Sequence, residues 1–267
     1  TVTTAMHSAA LPSARWHQKL LPLVGIGVLL MGWQVWSLSR GAESVLASFA
    51  PLPTLRSLWE LLSTGALTPH IAVSLKRVIL GLAIGSAVGV PLGVLLGTVG
   101  WLERATTIVL QLVRMISPLA WMPIAIMVFG VGDAPVYFLI GIATVFPIML
   151  NTRAGISHID RQWILAVRSM GARRWELLRL VYLPAVLTHV LTGFRLAVGI
   201  AWIVLVPAEM LGVSAGLGYY ILDTRDRLAY SEMMAVILVI GGLGYCFDVA
   251  ARWLSRRLIP HLQSEAG

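Results

Sequence analysis

Charge is what this sequence has least of. Only 12% of its 267 residues are Asp, Glu, Lys or Arg, about half the share usual in a soluble domain. A folded chain this poor in charge cannot keep its whole surface in water, so lipid must be the solvent for much of it. The two lysines are Lys19 and Lys76, and neither follows a glycine. A G-x-x-x-x-G-K-[ST] phosphate loop is therefore missing, which excludes ATP hydrolysis by that route in this chain. The single cysteine, Cys246, excludes a disulfide framework and a cysteine-based metal site. The six histidines are scattered, with no pair at ligand spacing on one helix face. Acidic residues are scarce within the apolar stretches, and the two halves of the chain show no internal repeat, which counts against an ion-coupled secondary transporter. A polytopic membrane enzyme would need clustered acid–base groups. The densest such cluster, Asp223, Arg225, Asp226 and Glu232, has no histidine near it and reads as an interaction surface. Nor do aromatic and basic residues alternate as they do along a single-stranded nucleic-acid groove, so no nucleic-acid partner is expected.

What is present is apolar length. Hydrophobic residues make up 58% of the chain and mean hydropathy is +0.84. Six stretches, near 20–38, 71–98, 104–129, 134–152, 186–211 and 232–254, are long enough to cross a hydrocarbon layer of roughly 30 Å as helices. The expected fold class is therefore an all-α integral membrane protein. The first stretch follows Arg15 and Lys19 and could be a signal peptide, but its length and the lack of a close small-residue cleavage site favour an uncleaved helix. In the second, Gly81, Gly85, Gly89, Gly93 and Gly97 recur every fourth residue. They share one helix face and predict close packing against a neighbour rather than a substrate path.

Basic residues set the expected orientation. Arg15, Lys19, Arg104, Arg153, Arg161, Arg168, Arg173, Arg174, Arg179, Arg252, Arg256 and Arg257 fall on one side of the spans. Arg40, Arg56, Lys76, Arg77, Arg225 and Arg227 fall on the other. The positive-inside rule then predicts both termini in the cytoplasm. The segment 51–69 places Leu52, Leu55, Leu58, Trp59 and Leu62 at helical spacing, an amphipathic helix expected at the outer interface. The stretch 216–230 is too polar to span and is expected there too.

The longest cytoplasmic connection, 152–184, is not patterned like a passive loop. Ile159, Trp163, Ala166, Val167 and Met170 recur at helical spacing. Gly171 interrupts, and Trp175, Leu178 and Val181 resume before Leu183-Pro184. Two short helices meeting at a glycine turn, with proline opening the next span, are predicted. Within it, Leu165-Ala166-Val167, three residues, Gly171, nine residues, Val181, one residue and Leu183-Pro184 resemble the EAA loop of bacterial ATP-binding-cassette importer permeases. That loop reads Glu-Ala-Ala, three residues, Gly, nine residues, Ile, one residue, Leu-Pro. The spacing matches throughout; Leu165 stands where the family has Glu, which puts one polar contact to the ATPase in question. Arg114 through Pro123, Gly193-Phe194-Arg195, Ala208-Glu209-Met210 and Gly216-Leu217-Gly218-Tyr219 bring the resemblance closest to the nitrate, bicarbonate, sulfonate and taurine branch.

The resemblance implies a type I importer permease in an inner membrane. It divides into an N-terminal tail, first span and outer segment over 1–70, a permease core over 71–257 and a C-terminal tail over 258–267. It also implies a second permease copy, two ATPase subunits carrying ATP and Mg, and an extracytoplasmic binding protein; this chain itself binds no cofactor. In the coupling loop, Gly171 would make the turn and Met170, Ala172 and Trp175 would give apolar contact. Arg168, Arg173 and Arg174 would meet acidic groups on the ATPase. Buried polar residues in membranes are costly and tend to be functional, so Arg114, Ser117, Pro118, Trp121, Arg195 and Glu209 are the candidates for an anion path. The competing reading has Arg114 and Glu209 pair structurally or snorkel to the membrane interfaces. The substrate stays open among nitrate, bicarbonate, taurine, alkanesulfonates and other small solutes.

Overall fold

Backbone groups in lipid must be satisfied within their own segment, which leaves helices as the natural outcome for these apolar runs. The computed structural model describes residues 14–39 and 48–258, and among them every regular element is helical. In chain order they are α1 (Ala14–Leu38), α2 (Pro51–Ser63), α3 (Thr68–Thr98), α4 (Gly100–Met115), α5 (Met122–Phe129) and α6 (Asp133–Ser157). Then follow α7 (Arg161–Ser169), α8 (Arg174–Leu177), α9 (Leu183–Glu209), α10 (Leu217–Asp226) and α11 (Tyr230–Leu258). The expected outer charge Arg40 and the C-terminal tail beyond Leu258 lie outside the described residues.

Among the described residues four helices, α3, α6, α9 and α11, are each long and apolar enough to cross a bilayer. The expected span over 104–129 is not one straight helix. It breaks after Met115 into α4, a 3-10 turn over Pro118–Trp121 and α5, bent through 87°. The cause is in part local: Pro118 disfavours helical backbone at the residue before it, and Ile116 and Ser117 are extended, at ψ 126° and 131°.

The core is α3 on α6 on α9. The glycine face of α3 packs closely along α6, whose bulkier residues also recur every fourth position. Gly81 meets Ile140, Gly85 meets Thr144, Gly89 meets Ile148, Gly93 meets Thr152 and Gly97 meets Ile156. A Cβ on Gly93 would lie 2.5 Å from that of Thr152 and 2.6 Å from the carbonyl of Met149. The glycines thus do the packing work expected of them. Val78, Leu82, Val136, Leu139, Ala197, Ala201 and Leu205 close the same core. A second cluster, Leu61, Leu67, Leu217, Ala235 and Val236, ties α2 and α10 to α11.

Candidate functional site

Three polar features interrupt this apolar frame. The first is the hairpin between α6 and α9. Asp160 caps α7 by accepting from the Gln162 N–H at 2.9 Å. The chain reverses at Gly171, whose φ of +82° is left-handed backbone that glycine adopts freely. Glu176 then accepts from the Arg173 N–H at 2.7 Å, half of a capping box that starts α8. The predicted glycine turn is present and Pro184 lies in the first turn of α9 as expected, with a π turn over Leu178–Tyr182 joining α8 to α9 without a loop. Trp163, Leu165, Met170 and Trp175 are all exposed, Met170 at 84%. An apolar surface of this kind, set beside Arg168 and Arg173, fits the edge of a partner better than water. Between the hairpin and the ends of α6 and α9 lies a groove of ≈ 690 Å³ lined by Trp163, Val167, Met170, His158 and His189.

The second feature lies at the 87° bend. Arg114, Pro118 and Trp121 line one cavity of ≈ 430 Å³, walled by Ile142, Phe146, Leu150, Leu196 and Ile200, with Asn151 as its other polar member. Among the described residues Arg114 has no ion-pair or hydrogen-bond partner. Asn151 donates from Nδ2 to the Pro147 carbonyl at 2.8 Å, which fixes the amide at the cavity wall. Ser117 is exposed at the bend beside this cavity rather than in its lining. Arg195 is not in the lining either. It lies 3.8 Å from Asp248 on α11, which also pairs with Arg252 at 2.7 Å.

The third feature is a buried ionic network that the sequence reading placed differently. Arg77, counted above among the outer topology charges, is 2% exposed. Its Nη1 donates to Glu209 Oε1 at 2.7 Å and to the Ala215 carbonyl at 2.6 Å. Its Nε and Nη2 donate to Asp133 Oδ1 at 3.0 and 2.5 Å. Ser74 donates to Glu209 Oε1 at 2.8 Å, and the Gly218 N–H donates to Oε2 at 2.9 Å. Glu209, expected on the path, is fully buried here and lines neither cavity; its partner is Arg77, not Arg114. One guanidinium therefore clamps the third turn of α3 and the first turn of α6 to the end of α9 and the segment leading into α10. Nearby, Arg227 bridges Asp223 at 3.0 Å and Glu232 at 3.2 Å. Burial, with the carboxylates of Glu232 and Asp223, holds the Tyr220 phenol above its usual range.

Trp202 is a packing residue: it donates to the Ile240 carbonyl at 3.1 Å and stacks on Phe247 at 5.4 Å. Sequence reasoning missed Arg77, Asp133 and Ser74 in the network and Asn151 at the cavity. For Arg77 a signal existed, because it lies four residues before Gly81, on the same buried stripe.

Residues 89–260 match the family described as the binding-protein-dependent transport system inner membrane component. The chain belongs to that family. It is 33% identical over 92% of its length to an Escherichia coli K12 protein named for aliphatic sulfonates transport, covering 94% of that protein. A bicarbonate transport system permease of Synechococcus elongatus is 32% identical over 93% of this chain and 94% of its own. The taurine transport system permease of Escherichia coli K12 is 30% identical over 97% and 96%. Among solved structures, an inward-facing MetNI methionine ABC transporter chain superposes with a TM-score of 0.59 at 20% identity. The match covers 72% of this chain and 96% of that one, and supports the shared fold.

Proposed function

We propose that this permease is the membrane path of an ATP-driven importer of small anions, with a second copy completing the path. The observation that carries the reading is Arg114: a cation without a partner among the described residues, in a cavity whose walls are otherwise apolar apart from Asn151. Arg114 is exposed in the single chain; enclosed between two copies within an apolar layer, a bare charge is costly, and an anionic cargo passing it would offset the cost transiently. Of the substrates named for the similar permeases, bicarbonate and aliphatic sulfonates are anions, and taurine, a zwitterion, presents an anionic sulfonate. A proton-coupled mechanism finds little support. Glu209, the fully buried acid among the described residues, is committed to Arg77.

ATP and Mg belong in this scheme to two separate ATPase subunits, each taking one α7–α8 hairpin. Trp163, Leu165, Met170 and Trp175 would enter a cleft of the ATPase, with Arg168 and Arg173 meeting acids at its rim. Closure of the ATPase pair would draw the two hairpins together and switch the path from outward to inward opening. The hairpin end is then cytoplasmic. The opposite end, with α2 and α10, receives an extracytoplasmic binding protein. The test is affinity purification of the chain from its native membrane, followed by uptake into proteoliposomes. A co-purifying P-loop ATPase and ATP-dependent uptake of taurine, butanesulfonate, bicarbonate or nitrate are expected. Transport without ATP by the chain alone would overturn the reading.

A further inference from the structure

Arg114 faces two cavities, not one. On its hairpin side lies a smaller space of ≈ 90 Å³, lined by Thr107, Gln111, Arg114, Phe146, Leu150 and Arg153. Thr107, Gln111 and Arg114 stand at i, i+4 and i+7 on α4, so they form one polar face along the helix. Phe146 and Leu150 wall both spaces. Arg153, on the last turns of α6, closes the row. Unlike Arg114 it is occupied: its Nη2 donates to Glu103 Oε1. Glu103 sits in the first turn of α4, where the helix dipole favours a carboxylate. Both members of the pair are partly open, at 29% and 32%, so the pair can part without exposing a dry charge.

Building on the anion path through Arg114, we propose that Arg153 is a second anion station between Arg114 and the cytoplasm. Glu103 is then the internal carboxylate that reclaims Arg153 and so expels the anion. An anion leaving Arg114 passes Gln111, whose amide N–H groups can donate without adding charge, and displaces Glu103 from Arg153; the Thr107 hydroxyl donates to the Glu103 carbonyl at 2.6 Å and steadies that turn of α4. Glu103 stays tethered on α4 at high local concentration, so it competes the anion off and resets the pair. Release is fast because the site carries its own competitor, and cytoplasmic anions find Arg153 already taken.

The test uses the full complex, permease with its ATPase and binding protein, in proteoliposomes with ATP in the lumen. Radiolabelled taurine, butanesulfonate and nitrate serve as probes. Arg153→Gln is expected to lower the initial uptake rate about tenfold or more, the scale of one lost charge-assisted hydrogen bond, and Arg153→Lys to retain most of it. Glu103→Gln is expected to make preloaded lumenal anion inhibit uptake at about tenfold lower concentration, an effect that a merely structural pair would not produce. The charge swap E103R/R153E rebuilds the ion pair but turns a carboxylate toward the path; assembly is expected to be native and uptake to stay low. Native uptake by the swap would overturn the proposal and reduce the pair to a brace between α4 and α6. Should Arg153→Gln fail to assemble, the swap decides alone. If Arg114→Gln impairs uptake while Arg153→Gln does not, only the second station falls. If neither impairs it, the anion path falls as well.

Discussion

Helices α3 and α4 are joined through a single residue, Val99, yet they are held in place in different ways. α3 lies in contact with α6 along a face of glycines, and half of the most apolar window of α6 is buried. α4 has no buried residue at all, and leaves Trp101, Ile108, Val109, Leu112 and Met115 exposed. In water both would be driven inward by the hydrophobic effect. In lipid the tails are as apolar as leucine, so close packing of small residues has to supply the attraction. α3 carries that small-residue face and α4 does not. The helix without it is where the bend and an arginine with no partner among the described residues occur, and in the proposed complex its exposed face would meet the second copy. On the proposed reading, frame and path are divided between two adjacent helices.

The largest effect comes from breaking the frame. Gly93→Leu would drive a side chain into Thr152 and the Met149 carbonyl, backbone included. Neither can yield without separating α3 from α6. No monodisperse protein is expected in size-exclusion chromatography, whereas Leu112→Ala on α4, where the side chain is 65% exposed, should elute like the native chain.

Next comes the clamp at the end of the frame. Glu209→Ala leaves Arg77 buried with half of its compensation, and removing one partner of a buried pair costs about 3–5 kcal/mol. A lowered thermal midpoint in detergent is expected. Asp133→Asn should cost much less, because the Asp133 side chain is 42% exposed and water replaces the lost interaction. Equal losses for the two variants would show that Arg77, rather than Glu209, organises the network.

Much of this division was legible in the sequence, and its limits are physical. Apolar length announced the spans, and the every-fourth glycine pattern announced a packed face, because both are periodic along one helix. Pro118 and Pro123 are local signals for a break in the third span, but its angle depends on what α5 packs against, which no local pattern encodes. Arg77 was read as a flanking charge because its partners lie 56 and 132 positions away, at Asp133 and Glu209. Asn151 passed unnoticed for a different reason: an amide in a helix carries no charge signal, and only the fold places it opposite Arg114. The Gly171 turn was found because its geometry is local.

That turn offers the next smaller effect, and a contrast with Gly93. A Cβ at Gly171 would meet nothing within 4 Å, so only its φ of +82° constrains the residue. Gly171→Val should cost about 1–2 kcal/mol of left-handed strain, confined to the hairpin. The subunit is expected to insert and melt normally, but no longer to co-purify with its ATPase. Gly171→Asn, which tolerates this backbone, should keep the ATPase. Loss of the ATPase in both variants would mean that it contacts the glycine itself rather than the turn the glycine makes.

The smallest effect on stability should belong to Arg114, and there the comparison of the two helices is sharpest. A buried charge that holds a fold together, like Arg77, is costly to remove because its partners are left stranded. Arg114 has no such partners among the described residues and sits on a helix that buries nothing. Arg114→Gln should therefore move the melting free energy by less than about 0.5 kcal/mol, or raise it slightly by taking a charge out of the apolar layer. Uptake of anions should nonetheless fall by about tenfold or more, with binding-protein-stimulated ATP hydrolysis retained. Thermal melting and uptake measured on one preparation separate the possibilities. A variant that loses both together would place Arg114 with Arg77 in the frame, and the path would then have to be sought away from α4.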